Sequence, residues 1–156
     1  MVILAGNELV LVAQVPRASD RWKQVHLNRD IAERFFRVVP GERTEVILER
    51  MGEGGEVIER VRSSIVYSPS NKNCKLEFGF GDVVNYPDDG PPILVVVEID
   101  IRRFRYVPLM PGDVGYDEML ALNTARPAIG RGLPRVLSTL DEVELRWPNC
   151  PLRNLA

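Results

Sequence analysis

Histidine, cysteine and lysine are all scarce in this sequence. His26 is the only histidine, the two cysteines are Cys74 and Cys150, and no lysine follows Lys75. One histidine is too few for most zinc sites, and the wide spacing of the cysteines is not that of a metal-binding motif. The sequence therefore predicts no metal ion and no cofactor.

Long hydrophobic runs are also missing. Apolar stretches such as Ile93–Val97 are far shorter than the roughly 20 residues that a membrane helix needs. The segment Met1–Gly6 has no basic region of the kind that precedes a secretion signal. With 156 residues, 45% of them hydrophobic, the chain fits one globular domain. We expect a cytoplasmic protein that does not associate with a membrane.

Short apolar or alternating segments, separated by turn residues, dominate the rest of the chain and predict strands. The predicted strands are Glu8–Gln14, Trp22–Leu27, Thr44–Met51, Val57–Tyr67, Cys74–Phe80, Ile93–Ile101, Phe104–Met110 and Arg135–Ser138. Gly52–Gly55 marks a hairpin turn between two of them. The fold class that this pattern favours is mainly β, a small barrel or pseudobarrel of about seven strands with two or more short helices.

Three short segments predict helices. Asn28 can cap a helix over Arg29–Phe36, where Ile31, Ala32, Phe35 and Phe36 share one apolar face. Asp117–Asn123 and Asp141–Leu145 predict two more. The domain is predicted to span residues 1–146. The segment 147–156, which contains Trp147-Pro-Asn-Cys-Pro151, is typical of a domain end and is predicted to be a tail or linker toward a possible catalytic domain.

Six segments of the chain together resemble a known family. Gln24–Asn28 leads directly into Ile31–Phe36, while Val61–Tyr67, the polar loop Ser68–Asn73 and Cys74–Phe78 follow one another. This layout, with Arg135–Thr139 near the end, resembles the B-three DNA-binding pseudobarrel, in particular the effector domain of EcoRII-type restriction endonucleases and the carboxy-terminal domain of BfiI-type enzymes. The resemblance implies a domain that binds double-stranded DNA, with a catalytic domain elsewhere in the parent enzyme. We expect the isolated domain to be a monomer.

In that family two arms clamp the major groove of DNA. The resemblance places the N-arm on Val15–Asn28 and the C-arm on Tyr67–Lys75. The candidate DNA-binding residues are Arg17, Ser19, Arg21, Lys23, Gln24, His26 and Asn28 in the N-arm and Ser68, Ser70, Asn71, Lys72, Asn73 and Lys75 in the C-arm. Arginine and lysine can donate to guanine, and asparagine can pair with adenine through two hydrogen bonds.

The distribution of charge supports the assignment of these two segments as DNA-binding arms, although the formal net charge of the chain is −2. Val15–Asn28 holds three basic residues and one acidic residue, and Arg62–Lys75 holds three basic residues and no acidic one, whereas Glu42–Glu59 holds six glutamates and two arginines. Local basic excess is what a DNA-facing surface needs, because neutralised phosphates supply most non-specific affinity.

Other interpretations of the same residues remain open. Ser68–Asn73 could be an ordinary solvated turn, since serine, proline and asparagine are turn residues. His26 could contact DNA or could lie half-buried in its strand beside Trp22. A chain of this kind could also be an interaction barrel that binds no nucleic acid.

A complete small nuclease is the enzymatic alternative. Asp88 and the pair Glu98 and Asp100 imitate the metal-binding carboxylates of one nuclease class. The lysine that such a site needs is missing, because Asp100 and Arg102 occupy its place. Nucleophilic catalysis by either cysteine would depend on His26, the only histidine in the sequence. We therefore expect no catalytic residue in this chain.

Overall fold

The structure, a computed structural model, describes residues 3–15, 17, 24–27, 29–70, 74–81, 85–125 and 135–153, with the backbone alone for residues 24–26. These residues form eight strands: β1 Leu9–Gln14, β2 Gln24–Leu27, β3 Arg43–Met51, β4 Val57–Tyr67, β5 Cys74–Glu77, β6 Ile93–Asp100, β7 Arg103–Leu109 and β8 Arg135–Thr139. The two α-helices are α1 Tyr116–Thr124 and α2 Leu140–Arg146. Within the described ranges no helix is long and apolar enough to cross a bilayer.

All eight strands belong to one sheet, in the order β2-β5-β4-β3-β7-β6-β1-β8. Neighbouring strands are antiparallel except β3 and β7, which run parallel and join two antiparallel halves. The sheet curls into an open pseudobarrel. The predicted fold class is thus confirmed, with eight strands in the described residues where about seven were expected.

Strands β1 and β6 are apolar over Val10–Ala13 and Ile93–Val97 because both of their faces are covered there. Val10 and Val12 of β1 belong to one core cluster, which includes residues of α1 and α2, whereas Leu11 and Ala13 face the other. Side chains alternate between the two faces of a strand. A run of apolar residues without alternation is therefore what a strand packed on both faces requires.

The segment between β2 and β3 contributes aromatic rings to the core cluster that contains Leu11 and Ala13. The predicted helix is present as a π-helix over Ile31–Phe35, in which the Phe36 N–H donates to the Ile31 carbonyl at 3.2 Å. All four predicted apolar residues are buried, and the rings of Phe35 and Phe36 lie 5.7 and 5.0 Å from that of Phe104. The proposed cap, Asn28, lies outside the described residues.

The segment after α2 packs onto the fold as far as the structure describes it. Trp147 and Leu152 are buried, and a β-carbon at Gly115 would overlap the Trp147 indole, so the ring sits directly on the backbone there. The Arg105 guanidinium donates to the Leu152 and Arg153 carbonyls at 3.3 and 3.2 Å. Residues 147–153 are therefore part of the folded unit and not a tail, because their large apolar side chains have a core to enter. The link to a catalytic domain stays a prediction.

Beneath that segment, one carboxylate binds three arginines. The Glu49 side chain is completely buried, and its oxygens lie 2.7 Å from Arg60, 2.6 Å from Arg103 and 3.3 Å from Arg105. Burial by itself would raise the pKa of Glu49, but the hydrogen bonds from Arg103 and Arg60 outweigh it and the pKa is lowered. Glu49 is thus a buried anion that joins β3, β4 and β7.

Candidate DNA interface

The two predicted arms meet at their bases in adjacent strands. β2, which ends the N-arm, pairs only with β5 in the described residues, and β5 begins as the C-arm ends. Leu27 is opposite Cys74, and His26 is opposite Lys75. Strands paired in this way lie about 4.8 Å apart. Leu27 and Cys74, which are 47 residues apart in the sequence, are therefore brought together at one edge of the sheet.

A row of buried side chains across three strands holds together the ends of the two arms that join the sheet. Tyr67, the last residue of β4, pairs with Cys74, which in turn pairs with Leu27. Relative exposure is 1% for Tyr67, 1% for Cys74 and 5% for Leu27. Because three apolar side chains from three strands are packed in one row, the spacing of the two arm bases is fixed by the core.

The next row lies on the outer side of the sheet. Val66 pairs with Lys75, and Lys75 with His26. Lys75 is partly exposed between the buried Cys74 and Leu76, so its ammonium group is on the side away from the core. A lysine in this position can reach the phosphate backbone of a bound duplex while its strand stays in the sheet.

Only the beginning of the C-arm and its last residues are described. The Ser68 and Ser70 hydroxyls lie 3.3 Å apart, and Ser70 is exposed. At the start of the arm, the Tyr67 carbonyl accepts a hydrogen bond from the Gly41 N–H at 2.7 Å. Asn71, Lys72 and Asn73 lie outside the described residues, so their roles stay predictions.

The N-arm is described at its two ends. Arg17 is exposed, with 61% of its side-chain surface accessible. Gln24 and His26 lie in β2 as predicted, but the structure gives their backbone alone, so both interpretations of His26 remain open. Ser19, Arg21, Lys23 and Asn28 lie outside the described residues, as does Trp22.

The sequence analysis missed the loop that contacts Arg17. The Arg17 guanidinium carbon lies 4.7 Å from the centroid of the Tyr86 ring, and Arg17 Nη2 lies 3.6 Å from Asp88 Oδ1. The Tyr86 hydroxyl also donates to the Val15 carbonyl at 2.7 Å. The one sequence signal for this contact was Tyr86, an aromatic residue in a loop otherwise rich in proline, glycine and aspartate.

The carboxylates that imitate a nuclease motif do not converge. Asp88 precedes β6, whereas Glu98 and Asp100 lie at its far end, which is roughly 20 Å away for a strand of this length. Glu98 Oε1 accepts from Arg37 Nη2 at 2.5 Å, and Asp100 Oδ1 accepts from the Ile101 N–H at 2.8 Å. Among the described residues no three histidine, cysteine or acidic side chains are grouped to hold a metal ion.

The cysteines are unsuited to nucleophilic attack. Burial raises the pKa of Cys74 to about 11 and that of Cys150 to about 12. The reactive form of cysteine is the thiolate. Both thiols therefore stay protonated at neutral pH, and Cys74 acts as a small core residue between the arms.

Comparison with known proteins agrees with this architecture. No family model and no curated protein matches the sequence. Among solved structures, the N-terminal domain of Helicobacter pylori LlaJI.R1 superposes with a TM-score of 0.55 at 14% identity, over 83% of this chain and 97% of that one. The B3 domain of the UbaLAI restriction endonuclease, solved with its cognate DNA, matches with a TM-score of 0.53 at 13% identity, over 86% of this chain and 89% of that one. The fold is that of a B3 pseudobarrel.

The recognised resemblance is therefore confirmed at the level of the fold. The B3 domain of UbaLAI was solved with DNA. At identities of 13% and 14%, side chains that contact DNA do not transfer from one B3 fold to another.

Proposed function

We propose that this B3 domain recognises a specific sequence in double-stranded DNA with its N-arm and C-arm. The observation that carries the proposal is the pairing of β2 with β5. This pairing joins the strand ends of two basic segments that are far apart in the sequence. Two arms set side by side at a fixed spacing suit the two walls of a groove. The B3 domain solved with cognate DNA supports the same conclusion.

Within this proposal the arms divide the work of recognition. Side chains near the middle of each arm contact base edges, and those in or next to the strands contact phosphates. Phosphate contacts position a protein on the duplex, whereas base contacts specify the sequence. Lys75 and Arg17, both at the base of an arm, are the phosphate contacts in this scheme.

The domain is proposed to act as the recognition or effector part of a type II restriction endonuclease. In this proposal the parent enzyme is cytoplasmic, the isolated domain is a monomer, and a separate catalytic domain cuts the DNA. Glu98 and Asp100, two of the carboxylates that imitate a nuclease motif, are both engaged within the fold.

We expect the domain to bind duplex DNA with strong salt dependence. Each phosphate neutralised by an arm residue releases counterions, so the logarithm of the affinity falls linearly with the logarithm of the salt concentration. Titration of a labelled duplex between low and moderate salt measures the slope. An affinity that stays constant across this range would exclude arms that bind phosphates.

We also expect that the domain does not cut DNA. The physical reason is that Asp88 lies at the opposite end of β6 from Glu98 and Asp100, so the three carboxylates cannot share a metal ion. Plasmid incubated with the domain and magnesium should stay supercoiled. Cleavage that appears with magnesium and disappears in Asp88→Ala would contradict this expectation.

A further inference from the structure

The loop that precedes β6 holds the backbone at the start of the N-arm. The Val15 N–H donates to the Pro92 carbonyl at 2.9 Å, and the Val15 carbonyl accepts from the Tyr86 hydroxyl at 2.7 Å. Val15 is completely buried. Both backbone polar groups of this residue are therefore bound by one loop, which fixes the direction in which the arm leaves β1.

The same loop also holds the first basic side chain of the arm. The Tyr86 ring lies beneath the Arg17 guanidinium, 4.7 Å from ring centroid to guanidinium carbon, and Asp88 pairs with the same group at 3.6 Å. Asp88 is 97% exposed and Arg17 is 61% exposed. An ion pair in this setting contributes little to stability, so its separation costs little.

Open space remains beside this pair. A shallow depression of 530 Å³ is lined by Arg17, Tyr86 and Asp88, together with Gln14, Pro87, Gly90 and Pro91. A phosphate and a carboxylate bind the same donors of a guanidinium. An anion of the DNA backbone can thus approach Arg17 from solvent and replace Asp88 without a change in the fold.

We propose that Tyr86 is a positioning residue for Arg17 and that Asp88 occupies, in the free protein, the place of a DNA phosphate. This inference rests on the proposed function, because it requires that the N-arm faces DNA. On binding, the phosphate displaces Asp88 while Tyr86 keeps the guanidinium in place. The loop 85–92 is then a third element of the interface, besides the two arms.

Opposite effects are expected from two substitutions in the loop. Asp88→Asn removes the competing anion and should strengthen duplex binding about three- to tenfold at low salt. Tyr86→Phe removes the hydrogen bond to Val15 and should weaken duplex binding about three- to tenfold. Asp89→Asn is the matched control for charge, because Asp89 is an exposed neighbour. Tyr106→Phe is the control for a lost tyrosine hydroxyl, which there donates to the Gly79 carbonyl.

A double-mutant cycle decides whether Asp88 acts through Arg17. In the Arg17→Ala background the gain from Asp88→Asn should vanish, while the small effect of Asp89→Asn should persist. Equal gains from both asparagine variants, or a gain from Asp88→Asn that survives the loss of Arg17, would overturn the proposal. This cycle tests the role of Asp88 even if Tyr86→Phe lowers the melting temperature too far for binding assays.

The failure of this inference differs from the failure of the proposed function. If Arg17→Ala changes neither the affinity nor the salt slope, the N-arm does not contact DNA and the proposed function loses that arm. If Arg17→Ala weakens binding and lowers the slope by about one, while the Asp88 and Tyr86 variants match their controls, only the role of the loop is wrong.

Discussion

Replacement of Glu49 with alanine is expected to lower the free energy of unfolding by about 3–5 kcal/mol. The carboxylate is completely buried and binds Arg60, Arg103 and Arg105. Its removal leaves the buried Arg105 without its counter-ion, and the loss of one partner of a buried pair costs far more than the pair itself contributes. Urea denaturation, compared at the midpoint and in the slope, measures the effect.

Glu45→Ala is the matched control, since Glu45 is an exposed glutamate on the same strand. It should change stability by less than about 0.5 kcal/mol.

A second experiment varies the pH. Because the pKa of Glu49 is lowered by folding, its contribution is present above the ordinary value of 4.5 and is lost as the pH falls below it. Wild-type protein should therefore lose more stability between pH 5 and pH 3 than Glu49→Gln does; equal losses would show that Glu49 is not the buried anion described above.

The second large effect is expected in the C-arm. Lys72→Ala or Asn73→Ala should cost about 1–3 kcal/mol of binding free energy on the preferred duplex and should relax the sequence preference, as the loss of a base contact does. Lys75→Ala should instead weaken all duplexes about equally and lower the salt slope by about one. The reason is that Lys75 lies in a strand, at the place where we propose a phosphate contact.

Competition between specific and scrambled duplexes separates these two kinds of contact. Thermal melts serve as the control, since substitutions of exposed loop residues usually change stability by less than about 0.5 kcal/mol. If the Lys72 and Asn73 variants keep the full preference, the C-arm is not the element that reads the sequence.

The strands could be predicted from the sequence because their signals are local. The hairpin around Gly52–Gly55 was confirmed with strands that agree to within one residue of the prediction. The apolar face of the segment after β2 was also correct, since Phe35 and Phe36 are both buried. Its helix type was not predictable, because hydrophobic periodicity does not distinguish a π-helix from an α-helix over so short a segment.

Features that depend on distant residues could not be predicted. Glu49 belonged to a run of glutamates that the sequence analysis treated as a plain acidic segment, yet it binds Arg105, whose position in the chain is 56 residues away. Residues 147–153 were assigned to a tail because the segment Trp147–Pro151 is typical of a domain end, whereas their contacts come from Gly115 and Arg105, which are distant in sequence. The loop at Tyr86 was missed for the same reason, because its partners are in the N-arm.

Selection of binding sites from a pool of random duplexes tests the central claim most directly. The account predicts that one short motif is enriched and that the selected duplex binds at least about a thousandfold more tightly than a scrambled one at physiological salt, as specific DNA-binding proteins do. If no motif is enriched, or if selected and scrambled duplexes bind alike, then this B3 fold does not serve as a sequence reader and the proposed function is wrong.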